Sequence, residues 1–554
     1  LERKKRILLV SEFSQLNTGF SVMANDLLKI MHNSGKYEVA ELASYVDDGD
    51  PRVRSVPWKV YPVIPTEQSE LERYNSNYQT AQFGSLRFDR TVLDFKPDIV
   101  FSYRDFWHDE WICKSASRHL FNYVWSTCVD SEPPKSEWIG VFSTVDIVSS
   151  YTDWGLSVIK EYSGTRTNIA NTNTMPGVDQ EVFKPMPKNE ARKTLGIKDD
   201  VNLVLTVMRN QPRKLFPDLM YAFGKALDKW ASVGRDDLVD NTYLYLHTSY
   251  PDVGFDIGKD IIKYKLGSKV LMTYCCGNCG NYFASFFSGD VCTCNKCGNY
   301  TAHPPNTARG LTREQLATVY NTSDLYVQLS VAGALEIPLI EAKACAVPTI
   351  ASDYAAMHEL NSFGGSYGSI KIAAWREESE RETAQIRAMP DPNDCAEKIA
   401  SYFQEDSNFR NKLSQEALFT ARTRHTNQET YNKWDAIFEK LPMLSSQRWY
   451  ENPRYIDLNS LNINAAYNDD DFIDYLVFNF TPPKSSLRSY AARKSFLTSL
   501  KSKIKNENGV NKRLDRNDIV KSIAQVAQNY NGFETFRYET MNNIQRKPKI
   551  VEVV

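Results

Sequence analysis

Short apolar runs alternate with helically spaced apolar positions from the start of the chain to about residue 441. In the first part, the runs at 7–10, 99–102, 122–125, 146–150 and 168–171 predict strands. The first run is followed by the turn SQLNTG and then by Phe20, Met23, Leu27 and Ile30, whose spacing makes one helix face. A second series predicts strands at 202–208, 242–247, 269–273, 325–329 and 349–351. Helices are expected at about 216–230, 312–320 and 338–345. Strand, glycine turn and helix in succession read as doubly wound parallel sheets, so the fold class is α/β with two such domains in tandem. The polar, proline-containing stretch 181–200 lies between them.

The pattern changes beyond 441. The segment 442–554 is rich in Asn, Asp and Ser, with helical spacing around 487–504 and at Ile519, Ile523, Val526, Ala527 and Tyr530. Ten Lys/Arg against Glu507 and Asp515 give 484–516 a local charge of +8, whereas the 554-residue chain as a whole carries −2. Bulk charge therefore excludes a general polyanion binder and leaves room for a local basic patch. No apolar run is long enough for a transmembrane helix, and LERKKRILLV is too short for a signal-peptide core. The scattered cysteines Cys113, Cys128, Cys345 and Cys395 suit a reducing cytoplasm.

The other six cysteines crowd into CCGNCGNYFASFFSGDVCTCNKCGNY, 275–300. Cys276 and Cys279 form one C-x2-C pair and Cys294 and Cys297 another, with 14 residues between and glycine after each pair. Paired knuckles of this kind point four thiolates at one tetrahedral centre, which predicts a Zn²⁺ ribbon over 274–303. Cys275 and Cys292 are extras that leave the ligand register open. With all four ligands spent, the metal is structural. Its place after strand 269–273 puts the ribbon at the carboxyl end of a sheet strand, beside the ligand cleft of a doubly wound sheet.

Three further segments carry chemistry. In TVMRNQPRKLFPD, 206–218, Arg209 and Lys214 lie between a strand end and a helix N-terminus, an arrangement that suits a diphosphate and equally a solvated basic loop. In GALEIPLIEAKACAVPTIASD, 333–353, Glu341 sits near the start of a helix, where it serves either a sugar's vicinal hydroxyls or the helix dipole. MPGVDQEVFKP, 175–185, is by itself a turn.

Together these three segments resemble the retaining nucleotide-sugar glycosyltransferases of the GT-B fold, family 4. GVDQEVFKP, the Arg209-x4-Lys214 pair and IPLIEAKACAVP match that family's hallmarks in order and interval over about residues 5–440. The resemblance implies two Rossmann-like domains facing a cleft, an acceptor domain over 1–185 and a donor domain over 186–441, followed by the 442–554 extension. It implies transfer from a nucleotide-diphosphate sugar with front-face displacement and no divalent metal in the chemistry. Arg209 and Lys214 would hold the diphosphate and Glu341 the ribose. The family's other glutamate would fall at position 333, which is Gly333, and Glu336 is the nearest carboxylate.

On the acceptor side, Gly19 in NTGF offers backbone approach to phosphate or acceptor. Asp105 in SYRDFWHDEW and Asp130 in WSTCVDSEPP follow strands and resemble acidic positions of the family, where they orient an acceptor hydroxyl; loop capping is the plainer role. The acceptor is expected to be a glycan, lipid or protein. The ribbon and the basic segment also suit DNA, as in an enzyme modifying a hydroxymethylated base, or a nucleic-acid-binding protein descended from an inactive transferase.

Overall fold

The computed structural model describes residues 3–444, apart from 116, 164–166, 307–308, 363–367 and 381–383, together with isolated positions among 456–551. The basic segment 484–516 and the helical patterns beyond it lie almost wholly outside the described residues.

Apolar runs at the N-terminal end build a parallel sheet. Its strands are β1 (Lys5–Glu12), β2 (Tyr37–Asp47), β3 (Lys59–Ile64), β4 (Ile99–Tyr103), β5 (Asn122–Thr127) and β6 (Ile147–Ser150), in the order β3-β2-β1-β4-β5-β6. Ile7, Leu8, Leu9 and Val10 of β1 are fully buried, as a strand covered on both faces requires. Helix α1 (Gly19–Asn33) follows β1. Strands β2 and β3 were not among the expected runs: Glu38, Glu41 and Pro62 interrupt their apolar pattern. Glu41 is nevertheless buried, accepting hydrogen bonds from Ser14 N–H, Ser14 Oγ and Trp58 Nε1; burial raises its pKa to about 7, against those bonds. The run expected at 168–171 forms only a bridge between Val148 and Ile169.

A second sheet has β7 (Asn202–Val207), β8 (Thr242–His247), β9 (Val270–Cys276), β10 (Tyr282–Phe286), β11 (Cys292–Thr293), β12 (Tyr300–His303), β13 (Leu325–Gln328), β14 (Thr349–Ser352) and β15 (Ser369–Ile372). Its parallel core runs β9-β8-β7-β13-β14-β15. The flanking helices used below are α2 (Lys188–Leu195), α3 (Phe216–Ser232), α4 (Arg313–Asn321), α5 (Ile337–Ala344) and α6 (Asn427–Lys440). A further hairpin, β16 (Ala374–Ser379) with β17 (Ile386–Pro390), was not anticipated, because its outer strand is exposed throughout and carries no apolar alternation.

Two compact units result. One holds 1–14, 31–125 and 437–554, and the other holds 15–30 and 126–436. These cut across the expected split at residue 185. The physical reason is visible in the second unit, where the first turns of α1 are tied to α4: Asp26 takes a bidentate pair from Arg313 (2.6 and 3.0 Å) and a hydrogen bond from Asn427 (2.9 Å). The GVD segment is held there as well. Val178 N–H donates to His425 C=O at 3.0 Å, and a Cβ at Gly177 would lie 2.3 Å from the Thr426 carbonyl carbon, so only glycine fits this approach.

Among the described residues, no helix is long and apolar enough to cross a membrane.

Candidate donor site and metal centre

The candidate donor site is built where β7 gives way to α3. Between them the chain passes through Leu215, which adopts φ +45° and ψ +46°, a left-handed conformation unfavourable for a side chain with Cβ. This turn buries Lys214 immediately before the helix begins. The Lys214 ammonium pairs with the Glu336 carboxylate, and both side chains are 6% exposed. Burial lowers Lys214 to about 8; Glu336 acts in the opposite direction, and Arg213, 3.7 Å from Glu336, lowers it further.

Glu336 is the residue just before α5. It takes the N-cap position, yet its side chain makes no cap hydrogen bond because its carboxylate turns to Lys214. A Cβ placed on Gly333 would lie 2.5 Å from Glu336 Oε1 and 3.2 Å from its Cγ and Cδ. The Glu336 carboxylate thus fills the volume in which a side chain at 333 would begin. A glutamate at 333 and this placement of Glu336 exclude each other. Glycine at 333 is therefore the condition for the carboxylate to arrive from 336.

Glu341 does not stand in the first turn of α5, where the dipole favours it, but further along and buried. It accepts a 2.8 Å hydrogen bond from Tyr320 OH on α4. Burial raises its pKa to about 7, while Tyr320 and the Arg313 charge lower it.

Arg209 is half-exposed and forks through Nε and Nη2 onto Asp252 at 2.9 and 3.0 Å. Burial would raise Asp252, but hydrogen bonds from Arg209, Ser249 and the Val253 N–H hold it at about 2. The loop carrying Asp252 is fixed by buried Asn210, which accepts from Phe255 N–H and donates to Phe255 C=O, both at 2.8 Å. Sequence spacing gave no sign of Asp252, since nothing local joins 209 to 252.

Gly19 begins α1, whose first turn is capped by Thr18 accepting from Ser21 N–H at 3.3 Å. A Cβ on Gly19 would meet Ile337 Cδ1 at 3.8 Å, so the glycine lies beside the first residue of α5. Asp130 pairs with Arg387 at 2.8 Å and accepts from Ser131 Oγ at 2.8 Å; its charge also reaches Lys214, whose pKa it raises. Gly19, Asp130, Arg209, Lys214, Glu336 and Glu341 all belong to the second unit. Asp105 belongs to the first, at the start of a short helix (Phe106–Asp109). Its loop is anchored by fully buried Arg104, which bonds Asp109, Ser44 Oγ (2.8 Å) and Phe83 C=O (2.8 Å).

The fold finds wide likeness among solved structures over about four fifths of the chain. Sucrose-phosphate synthase from Thermosynechococcus elongatus is 14% identical with a TM-score of 0.55, covering 79% of this chain and 99% of its own. HepE from Anabaena, solved with UDP-glucose, is 13% identical with a TM-score of 0.53, covering 79% and 100%. An Escherichia coli trehalose-6-phosphate protein bound with UDP-2-fluoro glucose is 12% identical with a TM-score of 0.50, covering 80% and 100%. The fold is that of the GT-B glycosyltransferases. No family model matches the chain, and no curated protein matches its sequence.

The cysteine-rich insert extends the second sheet. β10 and β12 both pair antiparallel with β9, the last parallel strand on that side, so the insert grows out of the sheet edge. The thiols of Cys276, Cys279, Cys294 and Cys297 lie within 4.8 Å of one another. Cys276 Sγ is 3.6 Å from Cys297 Sγ, and Cys279 Sγ is 3.7 Å from Cys294 Sγ. A zinc ion with bonds of about 2.3 Å to four sulfurs sets sulfur–sulfur edges of about 3.8 Å, so the donor set fits. The knuckles repeat each other. Cys276 N–H donates to Asn281 C=O and Cys294 N–H to Asn299 C=O, both at 2.8 Å, and each turn closes on a glycine at positive φ, Gly280 and Gly298. Cys275 and Cys292 stand outside the four-thiol group, which resolves the register left open by the sequence. The insert packs towards α2, where a Cβ on Gly196 would lie 3.9 Å from Asn295 Nδ2. The segment returning from it reaches α1's turn: a Cβ on Gly310 would lie 3.4 Å from Asn17 Nδ2.

Proposed function

We propose that this chain is a retaining glycosyltransferase that moves a sugar from a nucleotide-diphosphate sugar to an acceptor hydroxyl. The observation that carries the reading is the buried Lys214–Glu336 pair seated on Gly333, at the end of β7 and ahead of α3. Lys214 and Arg209 would face the diphosphate, whose negative charge grows as the glycosidic bond breaks. Cations held in place before the reaction lower that barrier with little reorganisation. Lys214 is held by Glu336 and Arg209 by Asp252, so each arrives oriented. Glu341, whose pKa burial raises to about 7, would take the ribose hydroxyls, and Glu336 would stand towards the donor sugar in the role of the absent residue at 333. Gly19, at the N-terminus of α1, would allow backbone N–H groups to approach the leaving phosphate. Asp130 and Asp105 would orient the acceptor hydroxyl. The neighbours solved with UDP-glucose and UDP-2-fluoro glucose support a uridine donor.

Cys276, Cys279, Cys294 and Cys297 would hold one structural Zn²⁺. Such an ion would tie the knuckle at the end of β9 to the turn between β11 and β12 and would supply no step of the transfer. The expected acceptor half is 1–185 and the donor half 186–441, and the scattered cysteines outside the ribbon support a cytoplasmic setting.

The test is nucleotide release from a panel of UDP-, GDP- and ADP-sugars, with Arg209→Ala and Lys214→Ala beside the wild type. Donor-specific release lost in both variants supports the reading, and the anomeric configuration of the product read by NMR decides retention. A wild type that neither binds nor turns over any donor sinks it.

A further inference from the structure

The 374–390 hairpin is stitched to the candidate site yet absorbed by none of the roles above. Its inner strand β17 is tied on three sides. Ile386 N–H donates to Glu132 C=O at 2.7 Å and Gln385 Nε2 to Ser131 C=O at 3.2 Å. Tyr354 OH donates to Ile386 C=O at 2.7 Å. Ala388 N–H donates to Val331 C=O at 3.1 Å, two residues before Gly333. Arg387 closes the arrangement by pairing with Asp130 and Glu380.

The outer strand β16 is exposed at every residue. Its register against β17 slips between Ala374 and Arg376, so Trp375 is the extra residue of a β-bulge. Bulges re-aim side chains and gather beside active sites. Trp375 is 59% exposed, and the Arg376 guanidinium lies 4.9 Å from its ring centroid, which fixes the indole without burying it.

The charges around it select among ligands. The sequence of 374–390 with 130–132 has a net charge of −3. Arg387 is taken up by Asp130 and Glu380, and Arg376 pairs with Glu378. Burial raises the pKa of the Tyr354 hydroxyl most, and the charges of Glu377, Glu132 and Asp130 add to it, so all three carboxylates lie in the neighbourhood of that hydroxyl. Among the described residues, Glu377 and Glu132 have no ion-pair partner. Such a surface repels a phosphate backbone. It suits a neutral polyol, whose hydroxyls donate to carboxylates and whose apolar ring face lies on an aromatic plane.

We propose that the 374–390 hairpin is an acceptor subsite for a neutral glycan, with Trp375 as its stacking platform and Glu377 and Glu132 as hydroxyl acceptors. This rests on the transferase reading for its purpose, though not for its binding. The experiment uses the full chain and four neutral trisaccharides, maltotriose, cellotriose, mannotriose and chitotriose, at millimolar concentration, read by saturation-transfer NMR with and without UDP-glucose. At least one trisaccharide is expected to bind the wild type. Its Kd rises at least about tenfold in Trp375→Ala, the loss typical of an aromatic anchor, and stays near wild type in Trp375→Phe. Binding of UDP-glucose, followed on the same samples, is unchanged in both variants. The proposal is overturned if no trisaccharide binds the wild type, if Trp375→Ala binds as well as wild type, or if duplex DNA protects 374–390 from hydrogen exchange. Failure of UDP-glucose to bind the wild type counts against the transferase reading alone, because trisaccharide binding is scored separately.

Discussion

Replacing Glu336 by Gln isolates the feature on which the proposed donor site rests. Both partners of the Lys214–Glu336 pair are 6% exposed, so the change leaves an ammonium in the protein interior without its counter-charge. Breaking a buried pair by removing one partner costs about 3–5 kcal/mol. At roughly 2 °C per kcal/mol for a unit of this size, Tm falls by roughly 6–10 °C. The loss depends on pH in a defined direction. Burial already lowers Lys214 to about 8 with Glu336 present; without that carboxylate the ammonium is disfavoured further. The folded state then holds fewer protons than the unfolded chain up to the ordinary lysine value, so stability rises with pH. The Tm deficit of Glu336→Gln therefore shrinks as pH is raised towards about 8 and levels off above it, where Lys214 is neutral in both folded proteins. The double variant Lys214→Met/Glu336→Leu removes both charges and recovers most of the stability while abolishing donor binding. Differential scanning fluorimetry across pH, with UDP-glucose titrations at each point, measures all three. A Glu336→Gln protein that melts at the wild-type temperature, or a double variant as unstable as the two single losses added, refutes the reasoning.

Other consequences are as direct. Glu341 has its pKa raised to about 7 by burial, so the folded chain binds an extra proton between the ordinary carboxylate range and that value. Its contribution to stability is complete at low pH and falls by about 3 kcal/mol as pH rises through 7; Glu341→Gln flattens that part of the Tm–pH curve. Zinc analysis should give one ion per chain, lost in Cys279→Ser or Cys294→Ser and retained in Cys275→Ser and Cys292→Ser, with chelation lowering Tm. Gly333→Ala places a Cβ 2.5 Å from Glu336 Oε1, so the carboxylate must leave Lys214; donor affinity falls about as far as in Glu336→Gln. Arg387→Ala unties the hairpin from Asp130, which hydrogen exchange reads as faster exchange over 374–390 with β14 unaffected.

The sequence alone determined what is encoded by near neighbours. Apolar runs marked most of the strands of both sheets, because a strand buried on both faces must be apolar at consecutive positions. The four-cysteine cluster was legible for the same reason: each knuckle is a turn of a few residues, so spacing carries geometry. Arg209, Lys214 and Glu341 could be named because their segments are contiguous. Tertiary structure decided the rest. Lys214 meets Glu336 across 122 residues, Arg209 meets Asp252 across 43, and Asp130 meets Arg387 from opposite ends of the second unit. No local periodicity records such pairings, since they arise from the order in which parallel strands are laid down. Exposed strands such as β16 leave no apolar signature, and β2 hides a buried carboxylate whose burial only its hydrogen bonds from Ser14 and Trp58 explain. Gly333 marks the limit most clearly. In the sequence it is an empty position, and in the folded chain it is the space into which Glu336 fits.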